Sequence, residues 1–140
     1  LNSKFHLSST MAQASHGATQ NDLVAYAAGL FDGEGCVVYK QYKIKKGCWK
    51  WHINLEIAMT EIEPLHWFYN IVKVGTINYK KNYGLGKKPQ WRWRCSHRKA
   101  LHVATMLLKY SVLKRKKLLN IVNHYNFKKP KETLREKFKF

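Results

Sequence analysis

Acidic residues are scarce in this chain of 140 residues: 8 Asp and Glu stand against 26 Lys and Arg, a formal net charge of +18. Charge of one sign at that density repels itself and opposes compaction, so the natural partner is a polyanion. Nucleic acid is favoured over an anionic membrane surface. No apolar run approaches the roughly 20 residues that cross a bilayer, and aromatic and aliphatic residues are spread along the whole chain. No membrane partner is expected. Cysteine is sparse too. Cys36, Cys48 and Cys95 make an odd count without CxxC spacing, which argues against a disulfide framework or a zinc knuckle. They read as small apolar residues of a reducing, intracellular compartment. No Ser-His or Cys-His constellation is evident, and His52, His66, His97, His102 and His124 are scattered without ligand spacing. A covalent nucleophile is therefore not expected.

Residues 1–20 are polar, rich in Ser, Thr and Ala and without periodicity, and read as a flexible leader. They lack acids, as organelle transit peptides do, but also lack the Arg such peptides carry. The pattern then predicts a helix over residues 22–31, capped by Asn21 with Asp22 in its first turn. Strands follow at 36–43 and 49–59, joined by a basic turn at 44–47. In the second strand Trp49, Trp51, Ile53, Leu55, Ile57 and Met59 share one face, while Lys50, His52, Asn54 and Glu56 share the other. Thr60 is placed to cap a second helix, with Pro64 in its first turn and Leu65, Phe68, Ile71 and Val72 as its core stripe. A third strand at 76–81 precedes a loop of Gly and Lys at 82–89. The fourth, at 90–96, turns Trp91, Trp93 and Cys95 inward and Gln90, Arg92, Arg94 and Ser96 outward. Helices at 98–108 and 113–125 complete a single domain over 21–126, and residues 127–140 form a basic tail without an assigned structure. The order α-β-β-α-β-β-α-α predicts an α+β fold with helices on one face of an antiparallel sheet.

If helices occupy the apolar face, the other face carries Lys40, Tyr42, Lys50, His52, Asn54, Asn78, Lys80, Arg92 and Arg94. Such a face suits the major groove of double-stranded DNA, where Arg92 and Arg94 fit guanine edges, Asn54 fits adenine, and Lys40 or Lys50 reads or anchors. The bland alternative is a solvated sheet face. Few acids balance these long donors, which favours the DNA reading.

The segment YAAGLFDGEGC, residues 26–36, is unusual for a helix C-terminus. Ala25, Ala28 and Gly29 place small residues on neighbouring turns, and a mid-helix Gly costs about 1 kcal/mol relative to Ala. That cost is tolerated where another backbone must come close. Asp32 and Glu34 flank Gly33 at the negative end of the helix dipole, where carboxylates are least welcome. A hard, oxygen-seeking cation there would relieve the conflict.

Ala27-Ala28-Gly29-Leu30-Phe31-Asp32-Gly33-Glu34-Gly35 resembles the nine-residue motif of the LAGLIDADG homing endonucleases. It departs from it in Ala27 for the first Leu and Glu34 for the eighth-place Asp. The order of elements also resembles that family's αββαββα core, with a saddle-like antiparallel sheet facing DNA. The resemblance implies that motif helices of two copies pack together, through Ala25, Ala28 and Gly29, with Glu34 as the metal-binding carboxylate for Mg²⁺ or Mn²⁺. The Gly33 carbonyl would assist, and Asp32 would be a supporting acid at the helix end. It implies a second polar active-site position at Glu61, and a basic one at Lys114 with Lys116 as neighbour. Glu61 equally suits a helix N-terminal acid, and Lys114 equally suits a phosphate contact.

One motif copy supplies one half-site, so the resemblance implies a homodimer that hydrolyses both strands of a long pseudo-palindrome and leaves 3′ overhangs. Such proteins are intron-encoded in organelle (mitochondrion or chloroplast), microbial or phage genomes. The alternatives are a non-cutting maturase that binds intron RNA on the same fold, and a basic ribosomal protein.

Overall fold

The computed structural model describes residues 17–81 and 84–127. Its first helix, α1 (Gln20–Glu34), is capped by Thr19 rather than by Asn21. The Thr19 hydroxyl accepts from the Asp22 amide (3.2 Å), and the Asp22 carboxylate accepts from the Thr19 N–H (3.0 Å). This reciprocal box satisfies two groups that a helix start leaves open. The same bonds hold the Asp22 carboxyl below its ordinary value. The helix thus begins at Gln20, before the expected cap. The rest of the expected leader, 1–16, and the tail over 128–140 lie outside the described residues.

α1 continues past the expected stop at Phe31, through Glu34, and passes directly into the first strand, β1 (Gly35–Lys45). The Gly35 N–H bonds to the Phe31 carbonyl, and a Cβ on Gly35 would lie 2.5 Å from that oxygen. Glycine is required here by contact with backbone, not by its dihedral angles. The chain continues as β2 (Cys48–Met59), α2 (Glu63–Val72), β3 (Thr76–Lys80), β4 (Gln90–Ser96), α3 (Arg98–Leu108) and α4 (Arg115–Phe127). The four strands form one sheet in the order β1-β2-β4-β3, every neighbour antiparallel. The α+β architecture expected from the sequence is the one present.

Local differences have local causes. Ile44 and Lys45 extend β1, leaving a tight turn in which Gly47 takes φ 77°. Thr60 does not cap α2. That helix starts at Glu63 without a side-chain cap, and Pro64 occupies its first turn, where the missing N–H has no helical partner to lose. α4 starts at Arg115, after Val112 and Leu113 have been drawn into a loop described below.

The core lies between the sheet and the helices. Ile53, Leu55 and Ile57 of β2 and Trp93 and Cys95 of β4 are buried against Phe31, Phe68, Val103, Leu107, Leu118 and other helix residues. Burial pushes the Cys95 thiol up to about 12, which makes it an inert core residue. Trp49, expected on this face, is 58% exposed and carries the Lys43 ammonium 5.8 Å from its ring centre. The β1–β2 hairpin outruns the helical layer there. Trp93 is the largest fully buried side chain; its indole N–H donates to the Val74 carbonyl (2.9 Å), and Phe68 meets it edge-on at 4.7 Å.

Gly75 threads beneath that indole with φ 101°, and a Cβ there would lie 2.4 Å from Trp93 Nε1. Gly75→Ala is therefore expected to cost about 3 kcal/mol through strain and overpacking together. Urea denaturation would read this as a lowered midpoint at constant slope; an unchanged midpoint would contradict the packing.

Candidate nucleic-acid interface and catalytic carboxylate

Directly opposed residues of an antiparallel pair share a face, so strand register assigns the sides of the sheet. Lys40 opposes His52 and Tyr42 opposes Lys50. Asn54 opposes Val38 on one side and Ser96 on the other. Arg94 lies between Glu56 and Thr76, Arg92 between Ala58 and Asn78, and Lys80 opposes Gln90. Every residue expected to contact DNA (Lys40, Tyr42, Lys50, His52, Asn54, Asn78, Lys80, Arg92 and Arg94) thus lies on the face away from the helices. Among the paired strand residues Glu56 is the only acid on it. β1 has 11 residues, about 35 Å at 3.3 Å per residue, close to one turn of B-form DNA at about 34 Å. Lys40, Tyr42, Lys50, Asn78 and Lys80 are exposed and His52, Arg92 and Arg94 half-buried, whereas Asn54 is buried, with only 3% of it accessible.

Where the motif helix ends, Asp32 is fully engaged. Its carboxylate accepts from the hydroxyl of buried Ser111 and from the amides of Val112 (2.7 Å), Leu113 (3.0 Å) and Lys114 (3.1 Å). In return Lys114 Nζ donates to the Asp32 backbone carbonyl at 2.6 Å. The dipole conflict anticipated for Asp32 is eased within the chain: its carboxylate in the last turn of α1 faces the amides leading into α4, and the Lys114 ammonium sits on its carbonyl. The partners of the Asp32 carboxylate are 79–82 residues away in sequence.

Glu34 is different. It is exposed, and no described residue bonds or ion-pairs with its carboxylate. The pairing of Gly35 with Ile57 puts Glu34 level with Ala58, at the same end of the sheet as Arg92. Glu61 lies three residues beyond Ala58, exposed, in the turn before α2 and not inside the helix. Lys114 is fastened to the helix end through Asp32. The structure therefore brings Glu34 and Lys114 to one helix terminus and Glu61 to the same end of the sheet. Lys116, two residues further along, is exposed. Among the described residues no three acids, histidines or cysteines gather into a metal-holding group. The oxygen donors that one copy presents are Glu34 and the Gly33 carbonyl, which belongs to the last turn and has no intrahelical N–H to receive.

Ala28 requires a correction. It is completely buried in the chain's own core, so it cannot meet a second copy; Ala25 is half-buried. The outward strip of α1 is instead Tyr26, 67% exposed, with Gly29 and Gly33. A Cβ at either glycine would meet nothing within 4 Å. Val112 (84%) and Leu113 (74%) stand exposed beside the end of the strip. Gly33, four residues after Gly29, was the available sequence signal for this face. Val112 and Leu113 had none, because the contact that brings them there is long-range.

The arrangement is a two-layer α+β domain, with helices on one face of the sheet, cationic residues on the other and, among the described residues, a carboxylate without a partner at a helix end. The chain belongs to the LAGLIDADG endonuclease family, whose family model matches residues 27–128 and so begins at the motif's first position. The fold is also similar to I-CvuI in complex with its target, with TM-score 0.62 and 19% identity over 74% of this chain and 66% of that one. An archaeal intron-encoded homing endonuclease in complex with DNA is similar at TM-score 0.60 and 14% identity, over 74% and 66% of the two chains. I-CeuI, a group I intron-encoded homing endonuclease in complex with DNA, is similar at TM-score 0.56 and 17% identity, over 74% and 56%. The chain spans just under two thirds of I-CvuI. No curated protein matches significantly.

Burial raises the Asp32 carboxyl, but the Ser111 hydroxyl and the three amides outweigh it, and the net direction is downward. A carboxyl lowered by folding stabilises above its unfolded value, roughly pH 4, and that contribution is lost as pH falls through the folded value. Asp32→Asn is expected to lower stability at pH 7 by on the order of 2 kcal/mol and to flatten the acid limb of a stability–pH curve. A variant curve parallel to wild type would disprove the assignment.

Proposed function

We propose that this chain is one half of a homodimeric, divalent-metal-dependent DNA endonuclease that cuts both strands of a long pseudo-palindrome. The observation that carries this reading is the contrast between two acids two residues apart: Asp32 is consumed by the fold, while Glu34, at the end of the basic face, meets no partner among the described residues. An acid held against a cationic surface repels the polyanion unless a cation joins them. Glu34 and the Gly33 carbonyl are hard oxygen donors suited to Mg²⁺ or Mn²⁺. A divalent ion bound there supplies charge stabilisation to the attacking and leaving oxygens.

The rest of the chemistry falls to the chain itself. Water attacks phosphorus in line, the bond from phosphorus to the 3′ oxygen breaks, and that oxygen takes up a proton, leaving a 5′-phosphate. Lys114, oriented by the Asp32 carbonyl, offsets charge that develops on the phosphate oxygens. Glu61 serves as a second polar group beside the attacked bond.

The dimer reading rests on Tyr26, Gly29 and Gly33 together with exposed Val112 and Leu113. Gly29 lies mid-helix, where glycine costs about 1 kcal/mol, Gly33 lies in the last turn, and among the described residues a Cβ at either would meet nothing; a second α1 laid across them would use the space. Two sheets of one helical turn each span roughly 20 base pairs. Such an interface seats a Glu34 from each copy near the dyad, one for each strand, and cutting across the minor groove would leave 3′ overhangs.

A cleavage screen on a randomised duplex library tests the reaction. Wild type with Mg²⁺ is expected to make discrete double-strand cuts, Ca²⁺ to support binding alone, and Glu34→Gln to cut roughly 10²–10³-fold more slowly. Tight binding without cutting under every condition would overturn the nuclease reading in favour of an intron-RNA maturase. For the dimer, Gly29→Arg is expected to sediment as single chains where wild type sediments as pairs, and to lose double-strand cutting. A wild-type chain that stays monomeric on DNA would reject the symmetric assembly.

A further inference from the structure

Asn54 was expected to read a base directly. It lies on the correct face, at the middle of the central strand β2, yet is 3% exposed. Its neighbours explain why. The amide orientation that satisfies all of them has its oxygen accepting from Arg94 Nη2 (2.7 Å) and His52 Nε2 (2.5 Å). Its nitrogen donates to Ser96 Oγ (2.6 Å) and to the Ile53 carbonyl (2.8 Å). A carboxamide has two donor hydrogens and two acceptor lone pairs, so Asn54 has nothing left to offer a base.

The two residues that reach over it do. Arg94 directly opposes Glu56 across β2–β4, and the natural course for a guanidinium beside a carboxylate is an ion pair. Its Nη2 instead bonds diagonally to Asn54. One N–H so occupied fixes the plane of the fork and leaves the remaining donors to face the groove, the geometry that a guanine edge requires. His52 is held the same way: with Nε2 donating to Asn54, Nδ1 is the ring nitrogen left over for a base. Tyr42 meets the ring edge-on at 6.2 Å, limiting its rotation from the other side.

We propose that Asn54 is a positioning residue that sets the base preference of this sheet through Arg94 and His52, without touching DNA. The inference rests on the DNA-binding reading above. It differs from direct readout in one respect: the preference lost on changing Asn54 belongs to the base pairs its partners contact.

The test is selection of bound duplexes from a randomised library by the full chain, in wild type, Asn54→Ala, Arg94→Ala, His52→Ala and the Asn54→Ala/Arg94→Ala double variant. The salt dependence of binding is recorded alongside. Asn54→Ala is expected to lose about tenfold discrimination at the positions where Arg94→Ala or His52→Ala loses it. The Arg94 share of that loss should be non-additive in the double variant, and the salt slope unchanged because no phosphate contact is removed. Asn54→Asp keeps both acceptor positions and should retain the Arg94 preference, and it serves as the probe if Asn54→Ala does not fold. A loss at a separate base pair, additive with Arg94→Ala, would show direct reading and overturn the proposal. So would a uniform weakening across all sequences, the mark of a purely structural role. If wild type selects no sequence at all, the DNA-binding reading fails and takes this inference with it; a selective wild type with an unaltered Asn54→Ala profile defeats the inference alone.

Discussion

The Asp32 carboxylate and the segment from Ser111 to Lys114 form the junction on which the rest of the site depends. Four hydrogen bonds to one carboxylate fasten the end of α1 to the start of α4, and Lys114 returns the contact through its ammonium. With that joint made, the last turn of α1 cannot fray, and Gly35 must enter the sheet at the register set by Ile57. Glu34 is then delivered to the rim of the basic face, where no described residue bonds its carboxylate. One acid is spent so that the next one can be left free.

The net charge of +18 gives the same structure a second constraint. Lysines and arginines gathered on one face of a thin sheet repel each other, and the helices cover only the other face. Long cationic side chains on the bare side also discourage edge-to-edge pairing with other strands. The face is stable as a solvated surface and better satisfied against phosphates. Order within the charge comes from buried Asn54, which holds Arg94 and His52 in place, and from Glu56, the one acid among the paired strand residues of that face.

Much of this was legible in the residues. Alternation in β2 and β4 was strong because Ile, Leu and Trp must go inward where Lys and Arg cannot, and β4 and α3 were bounded correctly for that reason. Helix ends were less legible. Asn21 and Thr60 are good caps by type, but Thr19 won because Asp22 stood at the right spacing to complete a box, and Thr60 was left in the turn that Pro64 and Glu63 follow. Trp49 has the side chain of a core residue and the address of a hairpin tip. Ala28 and Gly29 look alike as small residues of one motif, yet they sit about 100° apart around the helix, one against Phe31 and its neighbours and one facing outward.

By itself, then, the sequence determined the family, the α+β order, the cationic face and the identity of the two motif acids, because periodicity, composition and a nine-residue motif are local properties. Only the tertiary structure decided which acid is free, which helix face is left uncovered, and that Asn54 lies beneath Arg94 instead of beside it. Each of those outcomes depends on a contact between segments distant in sequence. Asp32 finds its donors 79–82 residues away, and Asn54 finds Ser96 42 residues away. No local pattern records where a folded chain will bring such partners together.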